Sequence, residues 1–221
     1  MPLKNYNFHV MVNYENKGFR FLPRKLIIFT LTVFDRISLI LVRLKLSPNF
    51  LSFLGLVSGI LVGILFATRH PFWAVIFIAF SGILDILDGK VAANGNKKTV
   101  FGAIFDSSLD RYSEFAIYLG LAFYFKNWWV LLLLALAFLG STMVSYTRAR
   151  AESLGIDCRL GIMQRAERMV LLMFGTLVAI ISGYFDAVMI GVIIFLAVIS
   201  NFTAWQRIAY VYKIEKGKEA S

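Results

Sequence analysis

The stretch "DILDGKVAANGNKKTVFGAIFDSSLD", from Asp85 to Asp110, sets four aspartates between strongly apolar runs of the chain. Asp85 and Asp88 are three residues apart and Asp106 and Asp110 four apart, so on helices each pair shares one face. A charged side chain at the centre of a membrane helix costs about 2.5–3.5 kcal/mol on insertion scales, so four of them require compensation. Divalent cations supply it, and an oxygen-only donor set favours Mg²⁺, Mn²⁺ or Ca²⁺ over zinc or copper. His9 and His70 do not join such a set, one lying in the N-terminal tail and the other across the membrane from the acids.

The membrane setting follows from composition. The 221 residues are 59% hydrophobic, with a mean hydropathy of +0.73, well above the roughly 45–50% apolar content of soluble domains. Charge-free runs extend over Phe50–Thr68, Phe72–Leu84, Trp128–Thr147, Met169–Phe185 and Ala187–Gln206. A bilayer span needs about 20 residues. The Phe72 run reaches that length if its helix continues to Ala92, and the run Phe115–Phe125 reaches it if its helix begins near Gly102. The expectation is therefore an all-α integral membrane protein of six transmembrane helices, with the acids on the second and third.

The basic residues set the expected orientation. Arg69 and Lys126 are nearly alone in the turns of one side, whereas Lys90, Lys97, Lys98, the stretch from Arg148 to Arg168, the N-terminal segment and the tail fall on the other. The positive-inside rule places that second side, and both termini, in the cytoplasm. The net charge of +10 is thus topological, and its distribution over loops beside spans argues against a nucleic-acid partner. Met1–Lys17 has no apolar core of the signal-peptide kind. Phe21–Lys45 mixes apolar residues with Arg24, Lys25, Asp35, Arg36 and Arg43, and reads as an amphipathic helix on the cytoplasmic interface; Asp35 and Arg36 near its centre argue against a seventh span. Cys158, the single cysteine, excludes an internal disulfide. These features divide the chain into an N-terminal segment (1–46), a six-helix membrane domain (47–212) and a cytoplasmic tail (213–221).

Asp85, Asp88, Gly89, Ala92, Gly102, Asp106 and Asp110 reproduce the D-x-x-D-G-x-x-A-R…G-x-x-x-D-x-x-x-D signature of the CDP-alcohol phosphotransferase family, which this chain resembles from about Leu46 to Tyr212. Ala93 departs from it, standing where the family has arginine, and Arg111 or a nearby lysine is a candidate substitute. The resemblance implies transfer of a phosphate-linked group from a CDP-activated donor, often CDP-diacylglycerol, to an alcohol, with release of CMP. It implies that Asp85, Asp88 and Asp106 hold Mg²⁺ or Mn²⁺, two ions in the family's arrangement. Asp110 is then close enough to contact one ion and acts as the general base. It also implies a donor-nucleotide site at Asn49, Ser52, Asp88, Gly89, Ala92 and Gly102, and, as the family often shows, a homodimer. Capping of a helix is an equal reading for Asn49. Close helix packing is an alternative for each glycine.

The stretches "SYTRARAE" (145–152) and "GIMQRAER" (161–168) bear on the acceptor. Arg148, Arg165 and Arg168, with Arg207 at similar depth, would converge beside the acids, and guanidinium forks suit phosphate. Ser145, Arg148, Arg168 and Arg207 match the positions by which the inositol-phosphate-using branch of the family holds its acceptor. Branches that use glycerol 3-phosphate or inositol, or that take CDP-inositol as donor, stay open. Outside the family, a divalent-cation transporter would also need intramembrane carboxylates, but spread along a path through both leaflets; these lie toward one side. Arg111 and Glu114, one turn beyond Asp110, are expected to orient the third span through polar contacts.

Overall fold

A computed structural model describes residues 24–158 and 160–219. His9, the first half of the N-terminal segment, the beginning of the expected interfacial helix, Arg159 and the last two residues of the tail lie outside the described residues.

The described residues form seven α-helices: α1 (Arg24–Arg43), α2 (Pro48–Ala67), α3 (Pro71–Asn94), α4 (Val100–Phe125), α5 (Trp128–Ser153), α6 (Arg165–Ser182) and α7 (Phe185–Glu219). The helix starts follow local chemistry. Ser47 caps α2 by accepting from the Phe50 amide, with Pro48 in the first turn. Thr99 caps α4 by accepting from the Gly102 amide at 2.9 Å, and Asn127 caps α5 by accepting from the Trp129 amide. The Glu167 side chain reaches back to the Gln164 amide at 2.8 Å, so α6 begins a full turn before its apolar run. α5 and α7 also outlast their apolar runs. Arg148–Ser153 continue α5, and α7 runs past Tyr212 to Glu219 without a break.

Four helices are long and apolar enough to cross a membrane by length and composition: α2, α3, α5 and Phe185–Gly217 of α7. α4 and α6, expected as the third and fifth spans, carry Asp106, Asp110, Arg111 and Glu114, and Arg165, Glu167 and Arg168 respectively. Their apolar content is diluted by the same residues that build the site.

α2 packs against α3 and α4, α5 against α7, and α6 against α7, while α3–α6 and α4–α5 contacts join the two groups. A continuous core, including Val62, Ile78, Ile117, Leu134, Leu172 and Ile193, draws on all six helices from α2 to α7. The α2–α4 crossing is backbone-close. A Cβ on Gly120 would lie 2.0 Å from Gly63 O, and one on Gly63 would lie 2.3 Å from Ala116 O. Small residues permit this approach, and it fastens the C-terminal halves of α2 and α4 to one another.

The outward faces carry Phe80, Ile83, Phe123, Leu132, Ile181 and Val198 among many exposed apolar side chains. Such a surface suits lipid rather than water. α1 lies across the N-terminal part of α2 and the C-terminal part of α3, where Phe34, Leu41 and Val42 cover Leu51, Leu84, Leu87 and Val91. Asp35 pairs with Lys90, and Asn94 Nδ2 donates to the buried Ser38 hydroxyl at 2.7 Å.

Candidate active site

The C-terminal part of α3 descends beside the N-terminal part of α4, and the two aspartate pairs meet between them. One carboxylate oxygen each from Asp85, Asp88 and Asp106 lies within 4.8 Å of the others. Asp88 is nearly buried, at 6% exposure, and its Oδ2 accepts from the Ser52 hydroxyl at 2.7 Å. That hydroxyl also reaches Pro48 O at 3.3 Å. Three hard carboxylates from two helices, one oriented by a neighbouring hydroxyl, are a donor set that fits Mg²⁺ or Mn²⁺.

Asp110 stands apart from this trio. Its Oδ1 is 2.8 Å from Arg165 Nη1, and the same nitrogen is 3.0 Å from Asp85 Oδ1. Arg165 at the start of α6 thus ties the two acid-bearing helices together. Sequence reading placed Arg165 among the converging arginines but not as the partner of the acids. The signal was its position at the head of the fifth helix, which says nothing of which carboxylate it meets.

Of the expected nucleotide residues, Ser52 and Asp88 are bonded, and Asn49 meets Gly102. A Cβ on Gly102 would lie 3.0 Å from Thr99 Oγ1 and 3.3 Å from Asn49 Oδ1. Gly102 therefore faces filled space, whereas a Cβ on Gly89 would meet nothing within 4 Å. Ala92 is half-buried and Ala93 exposed. Of the candidate stand-ins for the family arginine, Arg111 donates to Ser107 O of its own helix, Lys90 pairs with Asp35, and Lys97 Nζ donates to Leu46 O at 3.4 Å.

A cavity of about 320 Å³ opens beside Asp110 and is lined also by Ser145, Arg148, Arg165, Arg168 and Arg207. The structure thus gathers the four expected acceptor residues, but holds their cations in three different ways. Arg148 is half-buried and pairs with Glu152 one turn along α5, Nε to Oε1 at 2.8 Å. Arg207 is 2% exposed and donates to two backbone carbonyls, Leu160 O at 2.8 Å and Val144 O. It thereby clamps the α5–α6 connection. Arg168 is 1% exposed, its Nε and Nη2 donating to Glu114 at 2.8 and 3.0 Å. Arg168 Nη1 and Arg165 Nε are buried with no hydrogen-bond partner. Buried donors are rarely left unmet, and two of them on guanidinium groups around one cavity suit an anion.

Hard carboxylates beside a guanidinium-lined cavity, in a bundle with a lipid-facing surface, define a site for metal-assisted chemistry on phosphates at a membrane. Residues 45–205 match the CDP-alcohol phosphatidyltransferase family, and the chain belongs to it. Among curated relatives, the archaetidylinositol phosphate synthase of Methanothermobacter thermautotrophicus is 37% identical over 172 residues, covering 77% of this chain and 86% of that protein. The archaetidylinositol phosphate synthase of Pyrococcus horikoshii is 35% identical over 186 residues, covering 84% and 92%. Among solved structures, phosphatidylinositol phosphate synthase of Mycobacterium tuberculosis with CDP-DAG bound superposes with a TM-score of 0.74 at 27% identity, covering 82% of this chain and 94% of that one. The same enzyme in complex with manganese and citrate gives a TM-score of 0.73 at 26% identity, covering 81% and 88%.

Proposed function

We propose that this protein transfers the phosphatidyl or archaetidyl group of a CDP-linked lipid to the hydroxyl of an inositol phosphate, releasing CMP. The observation that carries this reading is the cavity in which Asp110 and five arginines stand together beside the three grouped aspartates. The names and bound ligands of the relatives support the same chemistry.

In this reading the acceptor hydroxyl gives its proton to Asp110 as its oxygen forms a bond to the lipid-side phosphorus. The bond from that phosphorus to the CMP oxygen breaks, and CMP departs with its electron pair. Asp85, Asp88 and Asp106 hold two Mg²⁺ or Mn²⁺ ions, with Asp110 within reach of one. The metal, when bound, neutralises the diphosphate and stabilises charge on departing CMP. Ser52 orients Asp88. Asn49, Ser52, Gly89, Ala92 and Gly102 border the nucleotide, Gly89 by leaving room for it and Gly102 by seating Asn49. Ser145, Arg148, Arg168 and Arg207 receive the acceptor phosphate, Arg207 partly by shaping the loop that closes the cavity.

The topology that serves this reaction is six spans, α2 to α7, within a domain of residues 47–212. α4 and α6 cross because their charged residues turn inward onto one another. The N-terminal segment (1–46) and the tail (213–221) belong to the cytoplasmic side, and the protein resides in the cytoplasmic membrane as a homodimer. The lipid donor enters from the bilayer and the phosphorylated alcohol from the cytoplasm.

The test is CMP release by protein in proteoliposomes. CDP-diacylglycerol and its ether-linked counterpart are each paired with inositol phosphate, inositol, glycerol 3-phosphate and serine. Mn²⁺-dependent release with inositol phosphate is expected. Release with another alcohol alone would reassign the acceptor, and cation flux without CMP would point to a transporter.

A further inference from the structure

Glu114 is the one carboxylate of α4 that faces neither the aspartate trio nor Arg165 through a hydrogen bond, and it is 2% exposed. It lies one turn beyond Asp110 and lines the same cavity. Its Oε1 accepts from Arg168 Nε at 2.8 Å and from the Tyr118 hydroxyl at 3.2 Å. Its Oε2 accepts from Arg168 Nη2 at 3.0 Å and from the Ser141 hydroxyl at 2.6 Å. A carboxylate has about four acceptor positions, and Glu114 fills them all with groups from α4, α5 and α6. It is therefore spent as a base or a metal ligand.

The arrangement does more than join three helices. A buried ion pair is weak evidence for stability, because desolvation offsets most of the attraction. Here the pair also leaves one end of the guanidinium, Nη1, buried and without a partner. Glu114 takes the side-on edge of Arg168, which fixes the plane and direction of the whole fork. The free end belongs to a residue that lines the cavity beside Asp110. Arg148, by contrast, is half-buried and pairs with its own helix, and Arg207 gives Nε and Nη1 to backbone carbonyls. Of these three cations, Arg168 alone combines a locked orientation with a buried donor that has no partner.

We propose that Glu114 is a positioning residue that holds Arg168 with Nη1 presented to the phosphate of the acceptor, and so sets the preference for a phosphorylated over an unphosphorylated alcohol. This rests on the lipid phosphotransferase reading above. Tyr118 and Ser141 act one step further out, fixing Glu114.

The experiment compares full-length wild type, Glu114→Gln, Ser141→Ala, Arg168→Gln and the Glu114→Gln/Arg168→Gln double variant in proteoliposomes. Steady-state CMP release is followed against inositol phosphate, inositol and the CDP-lipid. Glu114→Gln is expected to raise KM for inositol phosphate about tenfold, the range of one charge-assisted hydrogen bond, with KM for the lipid donor and the Mn²⁺ midpoint unmoved. Its activity ratio of inositol phosphate to inositol falls accordingly. Ser141→Ala moves the same KM in the same direction by about threefold, consistent with loss of one supporting bond. The double variant resembles Arg168→Gln alone, because Glu114 acts only through Arg168. A merely structural Glu114 would lower folded yield and all rates together without changing the ratio, which overturns the inference. If Glu114→Gln does not fold, Ser141→Ala decides, an unchanged KM for inositol phosphate again overturning it. Wild type that releases CMP only with unphosphorylated alcohols overturns the functional reading and this inference together. Wild type that uses inositol phosphate beside variants with unaltered KM overturns the inference alone.

Discussion

Arg165 Nη1 sits 2.8 Å from Asp110 Oδ1, so the guanidinium of α6 enters the acid site. It reaches Asp85 as well, which makes it a cation shared between Asp110 and the grouped carboxylates of Asp85, Asp88 and Asp106. A fixed positive charge beside these carboxylates opposes a second one. Removing it by Arg165→Gln is expected to tighten Mn²⁺ binding by about 1 kcal/mol, roughly fivefold in Kd, at a separation where screened Coulomb energies are of that order. Mn²⁺ titration of purified protein, read by electron paramagnetic resonance, checks this independently of turnover. Weaker binding would instead make Arg165 an organiser of the trio.

Asp110 lies outside the grouped carboxylates, which separates two roles that sequence alone leaves merged. Asp110→Asn is expected to lower CMP release by about 10²–10⁴-fold, the usual contribution of a general base, while Mn²⁺ still binds at Asp85, Asp88 and Asp106. Loss of Mn²⁺ binding in the same variant would move Asp110 from base to ligand.

Ser52, which borders the nucleotide in the proposed reaction, also donates to Asp88 at 2.7 Å. Outer-shell partners of ligating carboxylates typically carry about 10–100-fold in metal affinity. Ser52→Ala should therefore raise the Mn²⁺ concentration for half-maximal CMP release by that factor, and excess Mn²⁺ should restore the rate. A rate that stays low at saturating Mn²⁺ would assign Ser52 to the nucleotide instead.

The α2–α4 crossing is the least forgiving contact of the fold. Gly120→Ala drives a Cβ to 2.0 Å from Gly63 O, a backbone atom that cannot rotate away. Overpacking of this kind costs about 1–3 kcal/mol or more. The thermal midpoint in detergent should fall by several degrees, whereas Gly191→Ala, where a Cβ meets nothing within 4 Å, should leave it unchanged. Equal midpoints would mean that the helices separate at little cost.

The site was legible in the sequence to the extent that it is local. The three- and four-residue spacings put each aspartate pair on one face, whereas the capping read at Asn49 falls to Ser47, two residues earlier, and leaves Asn49 inside α2. Helix ends were less legible. The apolar runs stop where charge begins, but "RARAES" and the chain beyond Tyr212 are good helix formers and continue the helices. The Glu167 bond to the Gln164 amide starts α6 a turn early. α4 and α6 fall short of the four most apolar helices because each carries, within its length, charges that pair with the other's.

Composition, periodicity and spacing by themselves determined an all-helical, lipid-facing chain, the faces that carry the four aspartates, and the cations available around them. Only the tertiary structure decided who meets whom. Arg165 binds Asp110 and Asp85, 55 and 80 residues away in sequence. Arg168 binds Glu114 rather than standing free. Arg207 spends its donors on the α5–α6 connection, and α1 lies over the ends of α2 and α3. The physical reason is range. Helix formation and face assignment depend on neighbours within a turn or two, whereas a guanidinium several bonds long selects its carboxylate by the packing of helices far apart in the chain.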